Sequence, residues 1–540
     1  MKILTASEMR TVDRLTTERH GIPSMELMRN AGSAVARFVL REYSKKRHIC
    51  VLCGRGNNGG DGFVAAERLA QQGRAVTVLL LGSPADLKGD ARTAFEGLSR
   101  TFGQLGILTL IKLVPDEAAL ASEEIQELLH SDILIVDAVV GTGFTPPLRG
   151  VAAALRDQVN ALKAPVVAVD LPSGWDADCR EFAVEGAFRA DAVVTFTAPK
   201  LAHVSGNLTG SATGPIVVAP IGSPEEAIAS ATGLTWTGAS KALTERRRTP
   251  DANKGLYGHV LVVAGARGKS GAPAMASLAA LRAGAGLVTA AIPESILPLV
   301  ASVAPELMTI PLKETREGAA ANPEPEELKK LMARATVIAM GPGMGTEAEE
   351  FVLALMERTS LPLVLDADAL NILAKHPERI DGRGRTMVLT PHPGEMGRLA
   401  GISTKEVQAN RETLAREFAT RHQVTLVLKG WRTLIAHPDG RIAVNTTGNP
   451  GMAKGGSGDI LTGIVAAILA QHPDRAAEAV EAAVYLHGLA ADFAVREQDE
   501  HTLLATDTVG HLFRAFHFRP LDEGGYVWME GIPSSAANSE

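Results

Sequence analysis

The stretch His48–Gly62, HICVLCGRGNNGGDG, runs an apolar segment directly into a glycine loop. The segment lacks strict polar–apolar alternation, the pattern of a parallel strand covered on both faces. Gly54, Gly56 and Gly59 stand at G-x-G-x-x-G spacing, and Gly62–Gln72 carries apolar residues at helical spacing. Such a loop lets backbone N–H groups and a helix N-terminus approach a phosphate. Strand, glycine turn and helix together predict a doubly wound α/β domain, with ligands outside the carboxyl ends of the strands. A hydride-transferring dehydrogenase would want an acid ending the next strand to hold a ribose. That strand ends LLLGSP instead, which disfavours the assignment.

The pattern extends outward. RAVTVLLLG, SDILIVDAVVG, APVVAVDLPSG and ADAVVTF read as further strands, with a helix predicted over Gly150–Leu162. Upstream, Thr5 and Glu8 have capping-box spacing for an opening helix. Residues 222–240 lose the alternation and read as a linker, and Arg246–Arg248 as a solvated surface. A second strand–helix series then runs through GHVLVVAG, AGLVTAAIP, ATVIAMGPG, LPLVLDAD, TMVLTPHPG, VTLVLKG and RIAVNTTG. Residues 519–540, rich in Gly, Pro and Ser, read as a flexible tail. The division expected is 1–221, a linker over 222–240, 241–518 and the tail.

Composition narrows the function. The 540 residues carry 54 Lys and Arg against 61 Asp and Glu, a formal charge of −7, which argues against a nucleic-acid or membrane-surface protein. Only 4% of residues are aromatic, too few for a base-stacking platform. Cys50, Cys53 and Cys179 give no disulfide framework and fit a reducing cytoplasm. The C-x-x-C lies on the apolar run, so buried strand cysteines are expected in place of a metal or redox pair. No signal peptide and no membrane-spanning stretch is expected.

Three more strand ends carry chemistry in the first half: Asp137-Ala-Val-Val-Gly-Thr-Gly-Phe144, Asp170-Leu-Pro-Ser-Gly174 and Thr197-Ala-Pro-Lys200. Asn58, Asp137 and Ser173 offer oxygen donors without Cys or His, a set suited to a hard cation. GRGNNGGDG, DAVVGTGF and VDLPSG, in this order, resemble the NAD(P)H-hydrate epimerase domain over residues 3–221. The resemblance implies a damaged nicotinamide cofactor bound by Asn57, Asn58, Gly59, Gly60 and Asp61. It adds Gly141, Thr142, Gly143, Phe144, Thr145, Pro146, Pro147 and Asp170, with potassium held by Asn58, Asp137 and Ser173. One departure is Arg29 in LMRNAG, where the family has an acid. Inverting the ring carbinol needs a proton donor and acceptor; Asp170 is the first candidate and Lys200 the second.

In the second half, Asn449-Pro-Gly-Met-Ala-Lys-Gly-Gly-Ser-Gly-Asp-Ile-Leu-Thr-Gly463 places glycine amides at a helix start, an anion hole for a transferring phosphoryl group. Asp459 at its mouth suits a base accepting a hydroxyl proton. There is no P-loop motif. GSGD, with SGAPAMASLAALRAGAGLV, GPGMG, DADALN and LTPHPGEMGRL, resembles the ribokinase-like ADP/ATP-dependent NAD(P)H-hydrate dehydratase over residues 241–517. A three-layer α/β/α fold is implied. So are hydrate contacts at Ala272, Gly343, His392 and Asp459, and an adenine nucleotide at Lys429, Gly430, Trp431, Arg432, Thr433 and Gly458. Magnesium on the phosphates is expected. So is ADP yielding AMP as NADHX or NADPHX is dehydrated. A homo-oligomer acting on small molecules is expected; a vitamin-precursor kinase with a regulatory N-terminal domain is the rival.

Overall fold

Each apolar run of the first half forms a strand: β1 (His48–Cys53), β2 (Ala75–Leu80), β4 (Ile133–Ala138), β5 (Val166–Val169) and β6 (Ala192–Phe196). Between and beyond them lie β3 (Thr109–Leu113) and β7 (Ile216–Ala219), which the patterning did not separate. These belong to a computed structural model that describes residues 1–106 and 109–534. The strands pair in parallel in the order β7-β6-β5-β4-β1-β2-β3. Chain direction across the sheet reverses between β1 and β4, which makes the crevice outside those two strands the expected ligand position. The loops after them are forced together: Gly54 N–H donates to Ala138 O at 3.1 Å, and a Cβ on Gly54 would lie 2.0 Å from Val139 O. Cys50 and Cys53 are free and fully buried on β1, and burial pushes the Cys50 thiol up to about 12, as inert strand cysteines require.

The helix after the glycine loop begins at Asn57, not Gly62. The Thr5–Glu8 capping box forms as expected at the head of helix Ala6–Glu18.

The chain divides into one unit of Met1–Thr232 with the stretch from Arg519, and a second of Gly233–Phe518. Two expectations are corrected. Residues 222–240 are not a plain linker: β8 (Leu234–Trp236) is the edge strand of the second sheet. Trp236 anchors it, fully buried, with its indole N–H on Thr446 Oγ1 at 2.8 Å and its ring edge-on to Tyr485. Nor is the tail flexible through the described residues. Val527–Glu530 forms a strand antiparallel to β7, with Tyr526 and Trp528 buried and Tyr526 OH on Ala34 O at 2.6 Å. The Gly/Pro/Ser count concealed an aromatic pair that gains more from burial than the glycines cost in entropy. Residues 535–540 lie outside the described residues.

The second sheet continues with β9 (His259–Val263), β10 (Leu287–Pro293), β11 (Met308–Leu312), β12 (Val337–Met340), β13 (Leu363–Leu365), β14 (Met387–Leu389), β15 (Thr425–Leu428), β16 (Leu434–Ala436) and β17 (Ile442–Val444). Its order is β11-β10-β9-β12-β13-β14-β15-β16-β17-β8, parallel from β11 to β15 and antiparallel across β15-β16-β17. Here the reversal falls between β9 and β12, and their loops again touch: Gly265 N–H donates to Pro342 O at 2.8 Å.

Candidate active sites

A cavity of about 670 Å³ opens at the β1/β4 reversal. Asn57, Asn58, Asp61, Gly141, Thr142, Gly143, Phe144, Asp170 and Lys200 all line it. Gly59, Gly60, Thr145, Pro146 and Pro147 are not among the lining residues. Gly59 and Gly60 are closely packed. A Cβ on Gly59 would meet Gly54 O at 2.0 Å, and one on Gly60 would meet Met28 Cε at 2.5 Å. Sequence reasoning missed the contribution of the first helix, from which Met9, Arg10, Asp13 and Thr17 reach the cavity. Only the capping box hinted that this helix was docked.

Asp170 holds a left-handed backbone conformation, φ 66°, at the end of β5. Its Oδ1 accepts from Lys200 Nζ at 2.8 Å and from Thr195 Oγ1 at 2.8 Å, and its Oδ2 accepts from the Thr142 amide and hydroxyl. Lys200 is 1% exposed and also donates to Thr195 Oγ1 and Phe196 O. Burial alone would raise the Asp170 carboxyl, but Lys200 and these hydrogen bonds hold it well below the usual carboxylate range. His203 accepts the Lys200 amide on Nδ1 and donates Nε2–H to Asp170 O at 2.8 Å; burial and Lys200 push its pKa down to about 4. The two other acids facing this pair behave oppositely. Burial, with Lys200 opposing and Asp170 adding, pushes Asp13 up to about 6. Asp61 is pushed well above the carboxylate range by burial and by the charges of Asp170 and Asp13. The cavity thus holds one carboxylate drawn below the usual range and two carboxyls pushed above it.

Of the three oxygen donors, Asn58 lines the cavity, and Asp137 and Ser173 are buried and bonded to each other. Asp137 is fully buried and accepts from Ser173 Oγ at 2.6 Å, Ser173 N at 2.7 Å and Val139 N at 3.2 Å, all neutral donors. Burial outweighs those bonds and pushes it up to about 6. Asn58 Nδ2 is buried without a partner, and Asn58 Oδ1 lies 2.8 Å from where a Gly141 Cβ would stand. A buried carboxylate whose partners are all neutral fits a cation bound by oxygen. Among the described residues no group of three His, Cys, Asp or Glu is arranged to hold a metal.

The second unit gathers its residues at the start of helix Ser457–Gln471, entered through Gly456 at φ 97°. Lys429, Gly430, Trp431, Arg432, Thr433 and Gly458 all line one cavity of about 370 Å³. Lys429 Nζ donates to Asp366 Oδ1 at 2.9 Å and lies 3.8 Å from Glu395 Oε2. Burial works against the ammonium, yet Asp366 and Glu395 keep its pKa above the ordinary value. A Cβ on Gly458 would sit 3.3 Å from Lys429 Nζ and 3.4 Å from Asp366 Oδ2. Burial, then the charges of Asp366 and Asp368 against Lys429, push Asp459 up to about 6. Gly343, at φ 64°, approaches Ala272 so closely that its Cβ would stand 3.1 Å from the Ala272 Cβ. His392 caps helix Pro393–Ala400, its Nδ1 accepting the Gly394 and Glu395 amides, while Nε2 of its half-exposed ring lies 3.5 Å from Glu395 Oε1. Asp366 and Glu395 were missed: each sits inside a quoted motif, but only packing shows that they converge on Lys429.

A family profile described as NAD(P)H-hydrate dehydratase matches residues 260–512, and one described as YjeF-related protein N-terminus matches residues 24–202. The bifunctional NAD(P)H-hydrate repair enzyme of Moorella thermoacetica is 41% identical over 530 residues, covering 97% of this chain and 98% of the relative. The chain belongs to the bifunctional NAD(P)H-hydrate repair enzymes. The repair enzyme of Escherichia coli is 35% identical, covering 94% of this chain and 93% of its own. A solved ADP/ATP-dependent NAD(P)H-hydrate dehydratase from Bacillus subtilis, co-crystallised with ATP and magnesium, matches 52% of this chain and 96% of its own at 33% identity and TM-score 0.44. Because the full-length repair-enzyme relatives span both halves, a lone kinase with a regulatory domain is set aside. Among the described residues, no helix is long and apolar enough to cross a membrane.

Proposed function

We propose that this repair enzyme interconverts the R and S hydrates of NADH and NADPH in its first unit and dehydrates the S hydrate with ADP in its second. The observation that carries the reading is the convergence of Asp459, Lys429 and the glycine amides at one helix start. There Asp459 takes the proton of the ring hydroxyl, and the hydroxyl oxygen attacks the β-phosphoryl of ADP as AMP departs. The amides at the head of helix Ser457–Gln471 and Lys429 receive the phosphoryl charge. The ring nitrogen's lone pair then expels phosphate, and loss of a proton from the adjacent carbon restores the double bond. Magnesium, carried by the nucleotide and met by Asp366 or Glu395, would neutralise phosphate charge.

In the first unit the carbinol carbon adjoins the ring nitrogen, so a protonated hydroxyl can leave as water and return to either face. Asp61 supports the role of proton donor better than Asp170, because burial pushes Asp61 well above the usual carboxylate range while Lys200 holds Asp170 below it. Asp170 then steadies the cationic ring, with Lys200 fixing its carboxylate. Asn58, Asp137 and Ser173 would hold potassium, which would neutralise the Asp137 charge and pin three substrate loops. The low cysteine use supports a reducing compartment such as the cytoplasm. Incubation with mixed epimers, following each epimer and AMP by chromatography, tests the reading: both epimers are consumed with ADP, and only S when the first site is disabled. AMP release without hydrate consumption would refute it.

A further inference from the structure

Beyond Lys429, the cavity of the second unit runs between the loop Asn445–Ala453 and helix Ala476–Ala494. Val484, His487 and Gly488 of that helix face it, at i, i+3 and i+4 spacing. Close contact fixes the helix there: a Cβ on Gly488 would meet Thr447 Oγ1 at 2.4 Å. Most polar side chains on the loop side are committed within the protein. Asn445 Oδ1 accepts from Thr237 Oγ1, and its Nδ2 donates to Thr447 O. Thr446 Oγ1 accepts the Trp236 indole, and Thr447 Oγ1 donates to Tyr485 O. Asn449 is used on both sides, by Gly451 N and by Asp492 Oδ1. His487 differs. It is 7% exposed, it faces the cavity, and its Nε2 is buried with no hydrogen-bond partner. A buried polar atom left open costs free energy unless something bound supplies the partner.

We propose that His487 hydrogen-bonds the edge of the nucleotide's base and so selects which nucleoside diphosphate the site accepts; this rests on the nucleotide reading of Lys429 to Thr433 above. Phosphate charge is met by Lys429 and the helix start, whereas burial and Lys429 itself push the His487 pKa down to about 4, so the ring is neutral. A neutral imidazole presents Nε2 as donor or acceptor and suits an uncharged heterocycle better than an anion. Leu461 and Val484 line the same cavity and supply the apolar contact that a flat base needs.

Binding of ADP, GDP, CDP, UDP and inorganic pyrophosphate, each with magnesium, to the full chain tests this, using the parent and the His487→Leu, His487→Gln and Lys429→Ala variants. His487→Leu should weaken ADP about 5- to 10-fold, leave pyrophosphate within about twofold, and shrink the preference for ADP over the other diphosphates. His487→Gln, which keeps an amide able to donate or accept, should hold ADP within about threefold of the parent. If His487→Leu proves unstable, the Gln variant and the ADP-to-pyrophosphate ratio still decide, since general loosening of the cavity would weaken both ligands. Unchanged ADP binding in His487→Leu, equal losses in the Leu and Gln variants, or a loss shared with pyrophosphate overturns the proposal. ADP binding that survives Lys429→Ala would overturn the nucleotide reading and this proposal together. Loss in Lys429→Ala beside an unaffected His487→Leu would reject only the role of His487.

Discussion

Asp459 and Asp61 are both acids in the first two turns of a helix, and both are tuned upward by burial, but to opposite ends. Asp459 must be ionised to accept a proton. With its carboxyl pushed up to about 6, kcat/KM for dehydration of pure S hydrate should rise with pH through about 6 and then level off. A profile flat from pH 5 to 8 would contradict the base assignment. Asp459→Asn keeps size and removes the acceptor, so AMP formation should fall by roughly two to four orders of magnitude while epimerisation persists. Asp61 is expected to work protonated. Asp61→Asn should slow the interconversion of R and S hydrate at least about 100-fold without touching the dehydration of S hydrate. An Asp61→Asn protein that epimerises at the parent rate would remove the donor role from Asp61. His392 shows how one residue can answer two readings at once: its Nδ1 is spent capping a helix while its half-exposed ring keeps Nε2 beside Glu395.

At the scale of elements, the C-terminal strand is the feature whose removal is most easily measured. Trp528 is 1% exposed, donates to Asp522 Oδ2 at 2.8 Å, and lies with Arg41 over its ring and Phe38 beside it. Trp528→Ala should therefore cost about 3–5 kcal/mol. A lowered urea midpoint for the first unit checks this, and an unchanged midpoint would mean the strand contributes little. The same strand marks where composition misled. Gly524, Gly525 and Pro533 made the segment read as loose, but Tyr526 and Trp528 point the same way from a two-residue period and fill the edge of β7. The opposite case is the glycine loop: its helix start was legible, though placed five residues late, because Asn57 and Asn58 are poor helix formers that become acceptable in a first turn.

For the whole molecule, two reversals of strand order mean two independent sites, and the activities should separate. Asp170→Ala should leave the dehydration of pure S hydrate intact and slow only the consumption of R hydrate, followed by chromatography of each epimer. Equal loss on both epimers would point to a folding defect. Replacing potassium by tetramethylammonium at constant ionic strength should weaken hydrate affinity in the first unit alone. Asp137→Asn should reproduce that defect, since Asp137 is the only charged member of its set. Epimerase rates that ignore potassium would leave Asp137 as a loop-fixing residue.

The sequence by itself determined the two parallel α/β layers, because runs of Val, Ile and Leu ending in glycine have few other ways to be buried. It also determined the site loops, since GRGNNGGDG, DLPSG and GSGD carry their backbone requirements in the glycines. What it could not determine was decided by convergence across long separations. Asp13 meets Asp170 only because the first helix docks beside the β1/β4 crevice, and Asp366 meets Lys429 only because β13 and β15 flank β14. Whether an acid keeps or loses its proton was likewise a tertiary outcome. Asp61 and Asp170 are the same residue type, one in a helix and one at a strand end, and the Lys200 ammonium, 2.8 Å from Asp170, draws Asp170 below the carboxylate range while burial pushes Asp61 above it.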